Sequence, residues 1–334
     1  MKRKFTLIIV LTVFYQTLTF AQQDAQFSHY MFNTLYFNPA FSGAEGFTRF
    51  QLTYRNQWTG YSTSFPDDNL GAITTTNFSF TAPIQRLRSG VGFYINADRN
   101  SPIRNLEAQL SYAYHYPIKD GKLSIGIRAG VYNLALDFDK YRAVTRPDPV
   151  LDIISPDGTY VQRGRETASK IDASIGVYYR TEKYYLGLSV NHLPKAQFQY
   201  QIENLQNALV NHAYFTAGVN LDLNYEWVFT PSVLVKTDIN TYQFDVNGLF
   251  TYNKDFWAGL GVRQGEAANI IVGANMVKDK QGSKSLRLSY AFDFTIKGRD
   301  AKSATSNELL LAYRLPTMPP VARQTTRTPR FRQQ

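Results

Sequence analysis

Apolar and polar residues alternate with a period of two from residue 46 to residue 315, in segments of about ten residues divided by turn-rich stretches. The clearest runs from 106 to 118. Leu106, Ala108, Leu110, Tyr112, Tyr114, Tyr116 and Ile118 share one face, and Glu107, Gln109, Ser111, Ala113 and His115 share the other. From 286 to 296, Leu286, Leu288, Tyr290, Phe292, Phe294 and Ile296 oppose Arg287, Ser289, Ala291, Asp293 and Thr295. From 48 to 58, Thr48, Phe50, Leu52, Tyr54, Asn56 and Trp58 oppose Arg49, Gln51, Thr53, Arg55 and Gln57. Successive side chains of a strand point to opposite sides, so each run predicts a strand with one apolar face and one polar face.

Noisier runs predict further strands near 72–83, 89–99, 121–138, 169–180, 183–194, 211–222, 226–237, 240–252, 255–264, 267–278 and 306–315, about fourteen in all. The connections are of two kinds. Thr181-Glu182-Lys183, Asn224-Tyr225 and Asn253-Lys254 are tight, whereas 59–71, 139–168 and 195–210 are long. Bacterial outer-membrane barrels show this asymmetry, with short periplasmic turns, long outward loops and an even strand count that returns both termini to the periplasm. The pattern therefore predicts an all-β, antiparallel, up-and-down transmembrane β-barrel over residues 46–315.

Alternation alone does not say which face is inside, because a soluble β-sandwich also pairs an apolar face with a polar one. A barrel of about fourteen strands is too wide for its side chains to fill, which predicts a wet, polar interior and an apolar exterior. Arg49, Gln51, Glu107, Gln109, Arg287, Asp293 and Glu308 are then expected to face the lumen. Aromatic residues make up 15% of the chain, and Tyr54, Trp58, Tyr114, Tyr116 and Tyr313 lie near strand ends, where rings with a polar edge suit the membrane interface.

The first residues set the compartment. Lys2, Arg3 and Lys4 precede the apolar stretch Phe5 to Phe14, and Thr19 and Ala21 supply small residues for cleavage, so 1–21 reads as a signal peptide. After residue 21 no apolar run reaches the length of a spanning helix, so any membrane crossing is by strands. There is no cysteine, which removes disulfides, thiolate metal sites and a lipid-modified N-terminal cysteine.

The formal charge of +10 falls to +7 when Lys2, Arg3 and Lys4 leave with the signal, and to +3 without Arg323, Arg327, Arg330 and Arg332. The body of the protein is thus nearly balanced and gives no reason to expect nucleic acid. Residues 316–334 hold four prolines, those four arginines and no acidic residue, a composition expected to stay disordered; an acidic partner surface is one candidate for it.

No catalytic or cofactor site stands out. The four histidines, His29, His115, His192 and His212, show no helical metal-ligand spacing. There is neither a GxSxG elbow nor a phosphate-binding GxxxxGK[ST] loop. Asp148, Asp152 and Asp157 form an acidic stretch able to hold a hard cation, although a solvated loop explains it as well. No cofactor or metal is expected.

Residues 26–33 (Gln-Phe-Ser-His-Tyr-Met-Phe-Asn), 37–43 (Phe-Asn-Pro-Ala-Phe-Ser-Gly) and 54–58 (Tyr-Arg-Asn-Gln-Trp) resemble the PorP/SprF family, and the likeness extends to the closing segment 307–315. That resemblance implies an outer-membrane protein of Bacteroidota tied to type IX secretion and, in some members, to gliding and surface adhesins. The partners it implies are periplasmic components of the secretion machinery, a secreted surface protein and outer-membrane lipid.

Within the motif Asn33, Asn38, Pro39, Ala40, Gly43, Tyr54, Arg55, Gln57 and Trp58 are candidates for structural or partner-docking roles. Asn33, Asn38-Pro39 and Gly43 read as turn punctuation. Residues 22–45 are accordingly expected to form a structured segment that plugs or braces the periplasmic mouth. The tail departs from the family, whose members tend to stop soon after an aromatic residue that closes the last strand. The function expected is a non-enzymatic barrel that assists export or anchoring of a secreted protein. A porin or selective small-solute channel is the alternative, and a membrane-embedded hydrolase a distant third.

Overall fold

The computed structural model describes residues 24–60, 73–141, 148, 151–162, 164–199, 206–239, 241–278, 285–298 and 303–316. The expected signal peptide and the basic tail after Pro316 lie outside the described residues.

Fourteen long strands form the wall: β1 (Thr48–Gln57), β2 (Ile73–Ile84), β3 (Ser89–Asn100), β4 (Ile103–Ile118), β5 (Gly121–Asp137), β6 (Arg165–Arg180) and β7 (Tyr184–Asn191), then β8 (His212–Val219), β9 (Trp227–Thr237), β10 (Tyr242–Tyr252), β11 (Phe256–Arg263), β12 (Ala267–Lys278), β13 (Ser285–Thr295) and β14 (Thr305–Leu315). Each pairs antiparallel with the next, and β14 pairs with β1 from Leu315↔Thr48 to Asn307↔Asn56, which closes the ring. Closure pairs every strand on both sides, the condition for placing a sheet in hydrocarbon. The strand number and antiparallel order match the sequence expectation.

Burial alternates along the strands as the sequence pattern requires. In β4 Leu110 is 63% exposed, whereas its neighbours Gln109 and Ser111 are buried. Ile127 and Ile171 are likewise exposed beside buried Arg128 and Asp172. An apolar belt of this extent around a whole molecule is a liability in water and is satisfied by lipid. Among the described residues no helix is long and apolar enough to span a bilayer.

The two ends differ. Tight connections join β2 to β3, β4 to β5, β6 to β7 and β10 to β11 at one end. In the last of these, Asn253 (φ 48°) and Lys254 (φ 61°) both take the left-handed backbone of a type I′ turn. At the other end the connections after β5 and β7 carry small ribbons, Asp152–Ile154 with Tyr160–Gln162 and Gln197–Gln199 with Gln206–Ala208.

Some strand limits differ from the sequence reading. β6 starts at Arg165 instead of 169, because β5 extends to Asp137 and offers a partner there, with Arg165 Nη2 3.1 Å from Asp137 Oδ2. No apolar alternation marks Arg165 to Ala168, so periodicity missed the extension. The run expected at 211–222 breaks at Asn220, after which Leu221–Asp222 pairs separately with Val228 and Phe229. β7 stops at Asn191 because His192 turns the chain at φ 61°.

Candidate functional site

The lumen is filled by the chain's own N-terminal segment. Asp24 lies against His192 and His212, at the long-connection ends of β7 and β8. From there the segment runs to the tight-turn end, where the Gly43 backbone N–H donates to Thr81 Oγ1 of β2 at 2.7 Å. It therefore occupies the length of the lumen and not the mouth alone.

Local sequence explains its shape. A one-turn helix, α1 (Thr34–Phe37), ends at Asn38, whose extended backbone (ψ 115°) suits the residue before a proline. The Asn38 side chain then caps the following turn, Pro39–Phe41, by accepting from the Ala40 N–H at 2.9 Å. Its amide donates to the Val177 and Leu188 carbonyls at 3.0 and 3.2 Å, fixing the turn to β6 and β7. The Arg128 guanidinium closes the helix end by donating to the carbonyls of Leu35 (2.7 Å) and Tyr36 (2.9 Å), both unpaired groups of a helix C-terminus.

The wall makes room where the segment comes closest. A Cβ at Gly126 would lie 2.4 Å from Ala40 Cα, and one at Gly90 would lie 2.2 Å from the Ser42 carbonyl oxygen. Gly43 itself adopts φ +68°, a backbone that glycine takes without steric cost.

Contrary to the expectation of a wet interior, part of the lumen is dry. Phe27, Tyr30, Tyr36 and Phe37 pack with Tyr94, Tyr214 and Leu234 of the wall, and Leu35, Ala40 and Phe41 pack with Tyr178. Wall side chains alone cannot bridge so wide a ring, but a second segment threaded through it supplies the missing apolar volume.

Charged contacts hold the segment elsewhere. Arg55 Nη2 donates to Asp293 Oδ2 at 2.7 Å, and Nη1 donates to Glu308 Oε2 at 3.0 Å and Ser28 Oγ at 2.8 Å. Glu308 also accepts the Ser28 and His29 backbone N–H groups at 2.7 and 3.1 Å, and its Oε1 lies 2.8 Å from His29 Nδ1. The Ser28 hydroxyl donates to Asp293 at 2.6 Å.

At the head of the segment His192 sits between two carboxylates, Nε2 3.0 Å from Asp24 Oδ1 and Nδ1 3.0 Å from Asp172 Oδ2. Tyr214 donates a short hydrogen bond to Asp24 Oδ2. Burial opposes the charged form of Asp24, yet His192 and His212, with hydrogen bonds from His192 and Tyr214, hold its pKa well below the carboxylate range. Burial likewise opposes the imidazolium of His192, but Asp24 and Asp172 outweigh it and raise its pKa well above the ordinary histidine value.

The family model described as type IX secretion system membrane protein PorP/SprF matches residues 19–313. The chain belongs to the PorP/SprF family.

Solved structures share its fold. The Ralstonia pickettii toluene transporter TbuX superposes with a TM-score of 0.51 at 13% identity, over 85% of this chain and 93% of that one. The deltaS2S3 mutant of TodX, a monoaromatic hydrocarbon channel, gives 0.51 at 12% identity over 85% and 94%. These likenesses are of fold, a closed outer-membrane barrel. No curated protein matches the sequence at a significant level.

In this PorP/SprF barrel the motif residues divide by side. Asn33, Asn38, Pro39, Ala40, Arg55 and Gln57 are buried in the lumen, where Asn33 Oδ1 accepts a short bond from Gln51 Nε2 and a 3.1 Å bond from Thr53 Oγ1. Gln57 Nε2 donates to Glu266 Oε1 at 2.9 Å. Tyr54 faces outward at 44% exposure, and Trp58, at φ 54°, leads the chain out of β1 with its N–H on Ser306 Oγ.

The residues expected to line the lumen also find partners there. Arg49 pairs with Glu45 and lies over the Phe41 ring, and Arg287 lies 4.8 Å from the centre of the Phe32 ring. Glu107 accepts from Tyr94, and Gln109 donates to Asp172. Asp157 is taken up by its own turn, accepting from Thr159, while Asp152 accepts from the Asp148 N–H.

Sequence reasoning did not find Asp24, Arg128 or the meeting of His192 with His212. The two histidines flank one connection, which was visible, but Asp24 is remote in sequence and only threading brings it near.

Proposed function

We propose that this protein is a plugged, non-catalytic barrel of the type IX secretion machinery that holds a secreted surface protein at the outer membrane and joins it to periplasmic components. The observation that carries the reading is the occupied lumen: a buried guanidinium with two carboxylates, Arg55 with Asp293 and Glu308, grips Ser28 and His29 of the segment. A passive pore needs a continuous water path, and breaking a buried network of this kind costs several kcal/mol, roughly 3–5 for one partner removed. Contact, not conduction, suits such a molecule, and no bond is made or broken in it.

In this reading the long connections face outward and the even strand count returns the start of β1 and the end of β14 to the periplasmic side, but the threaded segment carries its own beginning at Asp24 to the outward end of the lumen, against the expectation that both termini are periplasmic. A cavity of about 390 Å³ at the long-connection end, lined in part by Asp98, Arg99, Arg104 and Arg165 together with Leu106 and Ala135, offers a mixed apolar and charged seat for an exported partner. Two measurements test the proposal together. The purified protein is expected to be silent in a planar bilayer, and the protein drawn from native membranes is expected to bring secretion components and one secreted protein, identified by mass spectrometry. A steady open-pore current with no such companions supports a small-solute channel and removes the platform.

A further inference from the structure

The Asp24, His192 and His212 cluster is not needed for the platform reading. Beyond that reading, we propose that these three residues form a site for one zinc-class divalent cation, which fastens the N-terminal segment to the barrel wall. One carboxylate oxygen and one ring nitrogen from each histidine lie within 4.8 Å of one another. Asp24 Oδ1 is 3.0 Å from His192 Nε2, and Asp24 Oδ2 is 3.6 Å from His212 Nδ1. Ligand atoms about 2.0–2.2 Å from a tetrahedral zinc stand roughly 3.2–3.5 Å apart, so small movements seat the ion.

His212 Nδ1 also lies 3.0 Å from the Val210 carbonyl oxygen, a bond that the ion displaces on binding, whereas the surroundings of His192 already suit a ligand. His192 Nδ1 lies 3.0 Å from Asp172 Oδ2, the carboxylate partner that orients a metal-binding imidazole and strengthens it as a donor. Asp172 is itself held by Gln109 Nε2 at 3.0 Å. Asp24, Asp172 and Glu107 are all buried in this region, with His192 and Arg128 as the cations recorded beside them, so a divalent ion relieves a surplus of negative groups. The side-chain oxygens of Asn191 and Asn211, each next in sequence to a ligand histidine, are buried and have no hydrogen-bond partner among the described residues. Two imidazoles with one carboxylate favour zinc, nickel or copper over calcium or magnesium, which prefer oxygen alone.

The test uses the full-length protein in detergent, stripped with chelator and titrated with zinc chloride. One zinc per chain by elemental analysis and calorimetry, no heat with calcium chloride, and zinc-dependent protection of the segment from chymotrypsin are expected. Asp24→Asn and His212→Gln are each expected to weaken zinc binding at least tenfold. The heat-dependent gel shift of the barrel reports whether each variant has folded, and Asp120→Asn, in the exposed tight turn between β4 and β5, is the control that should bind as the parent does. No zinc bound by the folded parent, or equal affinity in a folded Asp24→Asn, His212→Gln double variant, overturns the site. Neither result bears on the bilayer and pull-down tests of the platform.

Discussion

Arg55 Nη2 donates to Asp293 Oδ2 at 2.7 Å, although 238 residues separate the two in the chain. Both side chains are almost fully buried, and Glu308 joins them from the adjoining strand β14 as a second carboxylate on the same guanidinium. Replacing Arg55 by Gln leaves Asp293 and Glu308 inside the barrel without the guanidinium that bridges them, and the buried Arg263, 3.7 Å from Asp293, makes up only part of the loss. The expected cost is about 3–5 kcal/mol, read as a lower temperature for the heat-dependent gel shift. Arg55→Lys is expected to recover little of it, because a single ammonium cannot serve both carboxylates and Ser28 with the planar fork of a guanidinium.

The contact between Gly126 and Ala40 gives a second expectation. A methyl group on residue 126 would sit 2.4 Å from Ala40 Cα and N, and backbone atoms cannot swing aside as a side-chain tip can. Gly126→Ala should therefore loosen the segment by about 1–3 kcal/mol, the usual range for overpacking, while the strand itself tolerates alanine. Chymotrypsin is the probe, since Phe27, Tyr30, Tyr36 and Phe37 offer cleavage sites and no lysine or arginine lies between Asp24 and Thr48. Faster cleavage within the segment, with the barrel intact, is the expected result. Gly164→Ala, where nothing lies within 4 Å, should change nothing.

The outward face is tested at Leu110, midway along β4 and 63% exposed. Arginine there meets hydrocarbon, at a cost of about 2–4 kcal/mol near the bilayer midplane, and should impair insertion into lipid vesicles. Arginine in place of Leu87, which is 60% exposed in the tight turn after β2, should insert normally. Equal insertion by the two variants contradicts a membrane-facing belt.

The barrel was legible because its strands obey one rule throughout. Leu110 beside Gln109 and Phe50 beside Arg49 display the alternation in the sequence itself, and lipid outside with polar groups inside enforces it. The turn signals of residues 22–45 announced a plugging or bracing segment, but its course along the lumen was not legible, because the contacts that hold it there have no period. Asn38 caps Ala40 by a local rule that the Asn-Pro pair announces, but nothing near Arg128 states that it will close a helix 92 residues earlier in the chain. The same holds for Asp24, which meets two histidines only after the ring has closed around it. Long-range pairing of single residues leaves no trace in composition or spacing, and strand periodicity leaves a strong one.

The Asp24–His192 pair makes the segment's attachment depend on pH in a direction that can be worked out. Asp24 is depressed below its ordinary value of 3.8, so its contribution is present above about pH 4 and lost only as pH falls through the lowered value. His192 is raised above its ordinary 6.5, so its contribution is complete below about pH 6.5 and lost as pH rises through the raised value. In chelator-treated protein, chymotrypsin should then cut the segment at a constant, low rate relative to a denatured control across mildly acid and neutral pH. The rate should climb on the alkaline side, and His192→Gln should remove that climb while raising the baseline. Loosening between about pH 7 and about pH 5 would mean that the neutral imidazole is the docked form, the opposite of what two flanking carboxylates demand.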